Sequence, residues 1–145
     1  MKLEKSIDIK SPPKKLWPLL YQKENLMRWH PNVEEFDYIG DQRSGLGAKF
    51  YMVGKHDGRL MKSVCKVTDW QENKTFTFNE IWGMTKKFET RFTIEPTKTG
   101  SRLTIFWDAV MPYWIIGQIM QWMMSKQWVE MSNKMLENIK KLAEK

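Results

Sequence analysis

Catalysis needs a proton donor or acceptor, a nucleophile or a metal brought to one place, and this 145-residue chain carries few side chains suited to any of them. It has two histidines, His30 and His56, and one cysteine, Cys65. No Cys/His spacing suits a zinc ion, so neither a metal nor a cofactor is expected. The acid–base candidates are Glu80, His30 and Asp108, and no sequence spacing joins them. Acid–base catalysis would need such a group tuned near neutral pH and within about 3 Å of the proton it moves. His30, beside Pro31, reads as a structural histidine at a helix end, and Asp108 falls on the outward face of its strand. Glu80 is the exception to the pattern. In FTFNEIW it shares phase with Phe76, Phe78 and Trp82, which puts a carboxylate on an apolar face. Buried without a partner it would be costly. Either water or an arginine satisfies it at the end of the sheet, or it is a polar anchor facing a ligand.

The elements around these residues can be read from periodicity and turn chemistry. Leu3 to Ile9 alternates as a strand; Ser11-Pro12-Pro13 ends it and opens a short helix, with Ser11 as cap and Leu16, Trp17, Leu19 and Leu20 as its apolar face. Pro18 limits that helix, and Glu24 to Trp29 adds a further helical turn. From Val33 onward strands alternate with turns at 41–47, His56-Asp57-Gly58, Asn73-Lys74, Trp82-Gly83-Met84 and Lys98-Thr99-Gly100. About six strands fit between them. After Pro112 a run of about thirty residues at helical period predicts a helix of roughly 45 Å, the only element long enough to cover a one-sided sheet. The predicted fold class is α+β, with residues 1–145 forming one domain.

The inward faces are aromatic. Phe88, Thr90, Phe92 and Ile94 share one side of a strand, as do Leu103, Ile105, Trp107 and Ala109, Phe50 with Met52, and Met61 with Cys65 and Val67. Across from them the last helix presents Ile116, Met120, Met124, Trp128, Met131, Met135, Ile139 and Leu142 as one stripe. Its first half is apolar around most of its circumference. The segment IMQWMMSKQWVEM holds four methionines and two tryptophans. Methionine specifies packing poorly and adapts to shape, which suits a wall around a guest. The pattern favours an apolar cavity between helix and sheet over a filled, soft core.

The net charge of +7 comes from scattered basic residues whose densest groups are pairs, such as Lys86-Lys87, so a solvated surface is expected and not a nucleic-acid face. One cysteine allows no intrachain disulfide and fits a reducing compartment. The start, MKLEKSIDIKS, is too charged for a signal peptide, and AVMPYWIIGQIMQWMM is too short and too interrupted to span a bilayer. A soluble, cytoplasmic protein is expected. Trp114, Ile115 and Trp122 cannot all face the sheet together with the stripe. Either the short helices cover them, with Leu16, Trp17 and Leu20, or they form a transient membrane or protein contact.

Four stretches together resemble the SRPBCC superfamily, the helix-grip fold of START lipid-transfer domains, birch-pollen-type allergens and polyketide cyclases/dehydrases. These are IDIKSPPKKLWPLL, ENLMRWHPNV, SGLGAKFYM, and VTDWQENKTFTF with TIEPTKTGSRLTIFW. Each is loose alone, but their order spans nearly the whole chain. The resemblance implies a curved antiparallel sheet of about seven strands wrapped around a long C-terminal helix, with two short helices between strands one and two. It also implies a hydrophobic cavity lined by Phe50, Met52, Phe76, Phe78, Glu80, Trp82, Phe88, Phe92, Trp107, Met120, Met124, Trp128 and Met131, with Trp29 near its mouth. Binding or transport of a lipid, polyketide or aromatic molecule is the leading expectation, with Glu80, Tyr38 or His30 orienting a polar end. A cyclase/dehydrase using Glu80 is the alternative, and an interaction module a third.

Overall fold

Strand alternation, two prolines and one long helical stripe resolve into ten elements in a computed structural model, which describes residues 1–56, 58–112 and 118–145. They are β1 (Lys2–Ile9), α1 (Pro13–Tyr21), α2 (Lys23–Trp29), β2 (Val33–Ile39), β3 (Lys49–His56), β4 (Arg59–Gln71), β5 (Thr75–Trp82), β6 (Lys87–Thr97), β7 (Gly100–Val110) and α3 (Gln118–Ala143). Every strand pairs antiparallel, in the order β1-β7-β6-β5-β4-β3-β2. The expected curved seven-stranded sheet, paired short helices and long terminal helix are all present. The predicted turn at His56-Asp57-Gly58 includes Asp57, which lies outside the described residues, as do residues 113–117 at the start of the predicted helical run.

The first helix begins one residue later than its sequence suggests. Pro12 is the N-cap, with no side-chain cap hydrogen bond. Ser11 is instead buried at the junction of β1 with the β6–β7 hairpin, where its carbonyl accepts a hydrogen bond of 2.7 Å from the Ser101 hydroxyl. Gly100 makes that junction possible. A Cβ there would collide with the Ile9 carbonyl oxygen and stand 2.5 Å from the Ser11 nitrogen.

Two register shifts decide which side chains face inward. Between Val67 and Asp69 β4 carries an extra residue, so Trp70 turns in to pack on Trp17, Tyr21 and Phe76. Between Cys65 and Val64 the extra residue is on β5: Cys65 pairs with Glu80, and Val64 with Trp82.

The C-terminal half of α3 is packed tightly. Met135, Leu136, Ile139 and Ala143 are buried with Leu16, Leu20, Leu26, Ile94 and Leu103 in one core. The N-terminal half stands differently, with Ile119, Met120, Trp122 and Met123 exposed and Met124, Trp128 and Met131 only partly buried. The short helices do not cover this end. Leu16, Trp17 and Leu20 are buried in the core with the far end of α3, where Lys15 also reaches the Lys145 carbonyl. Trp122 remains 68% exposed, while Trp114 and Ile115 lie outside the described residues.

Candidate functional site

Beneath the first half of α3 lies a cavity of about 380 Å³. Met120, Met124, Trp128 and Met131 form its roof, and Met52, Phe78, Glu80, Phe88, Phe92 and Trp107 belong to its sheet wall. The rings of Phe88, Trp107 and Trp128 meet at centroid distances of 5.3 to 6.0 Å, a rigid corner where helix and sheet close on each other.

Three expected wall residues are elsewhere. Trp82 is 62% exposed because the extra β5 residue reverses the alternation after Glu80. Phe50 sits behind Phe78 (ring centroids 5.0 Å apart), sealed by Phe36 and Tyr38. Phe76 packs beneath α1 against Trp17 and Trp70. Both are core side chains and not lining.

Trp29 lines the cavity but is not at a mouth. It is 1% exposed, its indole N–H donates to the Leu19 carbonyl at 2.6 Å, and its own carbonyl accepts from Asn138 of α3 at 3.0 Å. It joins both short helices to the long one and closes the inner end. The exposed members of the lining are Lys62, Met84, Met120 and Gln127, which places the open side between β4, the β5–β6 turn and the first half of α3.

Other lining residues are not among the expected cavity residues, although some read as inward-facing from the sequence. Met61, Ser63 and Cys65 of β4 follow the same alternation that marks Met61, Cys65 and Val67 as inward-facing. Met84 and Thr85 sit in a turn and Met111 beside Pro112, where no periodicity reports direction.

Glu80 does face the cavity, and Thr85, not an arginine, is its hydrogen-bond partner. Its Oε1 accepts hydrogen bonds from the backbone N–H of Thr85, at 3.0 Å, and from the Thr85 hydroxyl. The carboxylate therefore ties the β5–β6 turn together. Gly83 leaves it room: a Cβ there would lie 2.6 Å from the Glu80 carboxyl carbon. Across the strand pair, burial, and to a lesser degree the Glu80 charge, push the Cys65 thiol up to about 12. Cys65 is thus a protonated wall residue, not a nucleophile.

The other polar candidates divide. Tyr38 does not reach the cavity; its hydroxyl donates to the Tyr21 carbonyl at 2.6 Å, and burial raises its pKa further above the ordinary phenol value. His30 lines the cavity, stacks on Trp29 and accepts a 3.3 Å hydrogen bond at Nδ1 from the Asn32 N–H. Asp108 faces outward in an ion pair with Lys87 at 3.0 Å, which holds its carboxyl below the usual range. No cluster of three or more metal-ligating side chains occurs among the described residues. None of their helices is long and apolar enough to cross a membrane.

An antiparallel sheet gripping one long helix over an apolar chamber is the setting in which sequence comparison becomes decisive. The family model described as polyketide cyclase / dehydrase and lipid transport matches residues 1–144. The chain belongs to that family. Solved structures agree on the fold at low identity. Protein TTHA0849 from Thermus thermophilus is 17% identical with a TM-score of 0.84, covering 97% of this chain and 95% of its own. An aromatase/cyclase from Streptomyces sp. R1128 is 11% identical with a TM-score of 0.84, covering 99% and 93%. Ginseng major latex-like protein 151 from Panax ginseng is 14% identical with a TM-score of 0.77, covering 99% and 97%. No curated protein matches the chain by sequence.

Proposed function

We propose that residues 1–145 act as one ligand-binding domain that holds or carries a hydrophobic or amphipathic small molecule between α3 and the sheet. The observation that carries this reading is the contrast within α3. Leu136, Ile139 and Ala143 of its C-terminal part are buried in the core, while Met120, Met124, Trp128 and Met131 stand over about 380 Å³ walled by thioethers and aromatic rings. An apolar void of about 150 Å³ suffices for benzene, so this one has room for a lipid chain or a small fused-ring system. Burial of the guest supplies affinity, on the order of 25 cal/mol per Å² of apolar surface before ordering costs. Native mass spectrometry, of the protein as purified and after incubation with fatty acids and polycyclic aromatics, tests it. Discrete adducts are expected; a bare protein under every condition contradicts the reading.

Loading at an apolar surface fits the same geometry. Met84 and Met120 are exposed at the open side, and Ile119, Trp122 and Met123 extend the apolar surface along α3. A transient bilayer or protein contact through Trp122 therefore accompanies the carrier reading, in a cytoplasmic protein with no nucleic-acid partner. The cyclase/dehydrase alternative is favoured by one observation: Glu80 is the only carboxylate on the wall among the described residues. A pH–rate profile lost in Glu80→Gln, with binding retained, would establish it. The hydrogen bonds from Thr85 argue for an architectural carboxylate and keep catalysis second.

A further inference from the structure

A second hollow of about 340 Å³ adjoins the first, and the two share Asn32, Gln127, Trp128 and Met131. Its character is different. Lys55 at the end of β3 and Lys134 on α3 stand on its walls with Pro31 and Glu130. The Lys55 backbone N–H donates to the Asn32 carbonyl at 3.0 Å, which joins β3 to the loop between α2 and β2 at this point. No ion pair or hydrogen bond among the described residues engages either lysine ammonium. Glu130 is the one carboxylate on this wall among the described residues, so two cations and one anion leave a single positive charge. On the apolar chamber the one lysine among the described lining residues, Lys62, stands over the Tyr51 ring at 4.9 Å, and the one carboxyl group, Glu80, is bonded to Thr85.

We infer that this side groove is a head-group subsite: the ligand is an amphipathic monoanion whose apolar body enters the cavity while Lys55 and Lys134 hold its charged head. Asn32 and Gln127, common to both spaces, supply amide donors where body and head join. A single excess charge suits a carboxylate better than a dianionic phosphate. The inference rests on the ligand-binding reading above and deepens it.

The test is displacement of the neutral dye phenylnaphthylamine by decanoate and by decanol, which share a chain and differ in head-group charge. Decanoate is expected to displace the dye roughly fivefold more effectively than decanol, the scale of two partly exposed charge contacts. That ratio is expected to shrink as salt rises. In the Lys55→Met/Lys134→Met double variant it falls to about one while decanol is unaffected, and Lys98→Met, in the remote β6–β7 turn, leaves the ratio as it was. Thermal midpoints of all variants verify folding. Equal displacement by both amphiphiles in the unaltered protein, or a preference that survives the double substitution, overturns the subsite and leaves the cavity reading standing. Failure of the dye and decanol to bind at all overturns both.

Discussion

Truncating side chains at the two ends of α3 is expected to have opposite consequences. Ile139 is fully buried at the packed end. Ile139→Ala removes three carbons from a site with no slack, so the transfer loss and the residual cavity add, and the expected loss is about 3–4 kcal/mol. Met124 faces the chamber on one side and is only partly buried. Met124→Ala removes atoms that already border empty space, opens no new enclosed void and is expected to cost less than about 1 kcal/mol. For a chain of this size about 1 kcal/mol moves the thermal midpoint by roughly 2–4 °C, so the two variants should separate by about 4–16 °C. Circular dichroism melts and urea midpoints measured in parallel provide the comparison. Equal losses would show that the first half of α3 interlocks with the sheet as the second half does, and the reasoning about thioethers around a void would fail.

Gly83→Ala places a methyl against the Glu80 carboxylate and should disrupt the Thr85 hydrogen bonds, costing about 1–2 kcal/mol. In a Glu80→Ala background the same change should cost clearly less, and strict additivity in a double-mutant cycle would refute the contact. Gly100→Ala drives a Cβ into the β1 backbone and should be among the most destabilising single changes, seen as a greatly lowered urea midpoint; a near-neutral effect would contradict the junction. Cys65 should resist iodoacetamide at pH 8 in the native protein and react at once in urea. Because its folded pKa lies above the unfolded one, the unfolded chain releases the proton first, so this group's contribution to stability falls as pH rises from about 9 towards 12. Cys65→Ser should flatten that fall, and an unchanged alkaline limb would count against it. Trp122→Ser should lower co-sedimentation with anionic liposomes without altering the thermal midpoint, and unchanged co-sedimentation would contradict docking through Trp122.

The fold was legible because its signals repeat. Strand after strand alternates, Lys98-Thr99-Gly100 marks a hairpin, and the stripe from Met120 to Leu142 leaves little choice of partner surface. The site was legible where a strand runs true: Phe78, Phe88, Phe92 and Trp107 all lie where alternation puts them. It failed at Trp82 because one extra residue in β5 exchanges inside for outside, and no residue type near it announces a bulge. Phe50 and Phe76 show another limit. Alternation gives the face of a sheet but not the depth along it, and aromatic side chains from neighbouring elements occupy those stretches. The family resemblance implies Trp29 near a mouth, yet its hydrogen bonds to Leu19 and from Asn138 hold it in the interior, a long-range contact that no resemblance of short motifs reports. The partner of Glu80 lies five residues ahead, in a turn whose glycine makes room for it, a local signal that strand phase alone does not carry.

The most direct test of the chamber is titration of the protein with phenylnaphthylamine, alongside Thr90→Phe, a substitution that fills the sheet wall at a buried lining position. Saturable one-to-one uptake by the unaltered protein, weakened about tenfold or more in the filled variant at an unchanged thermal midpoint, is the result expected here. No saturable uptake, or uptake indifferent to the added ring, would contradict it.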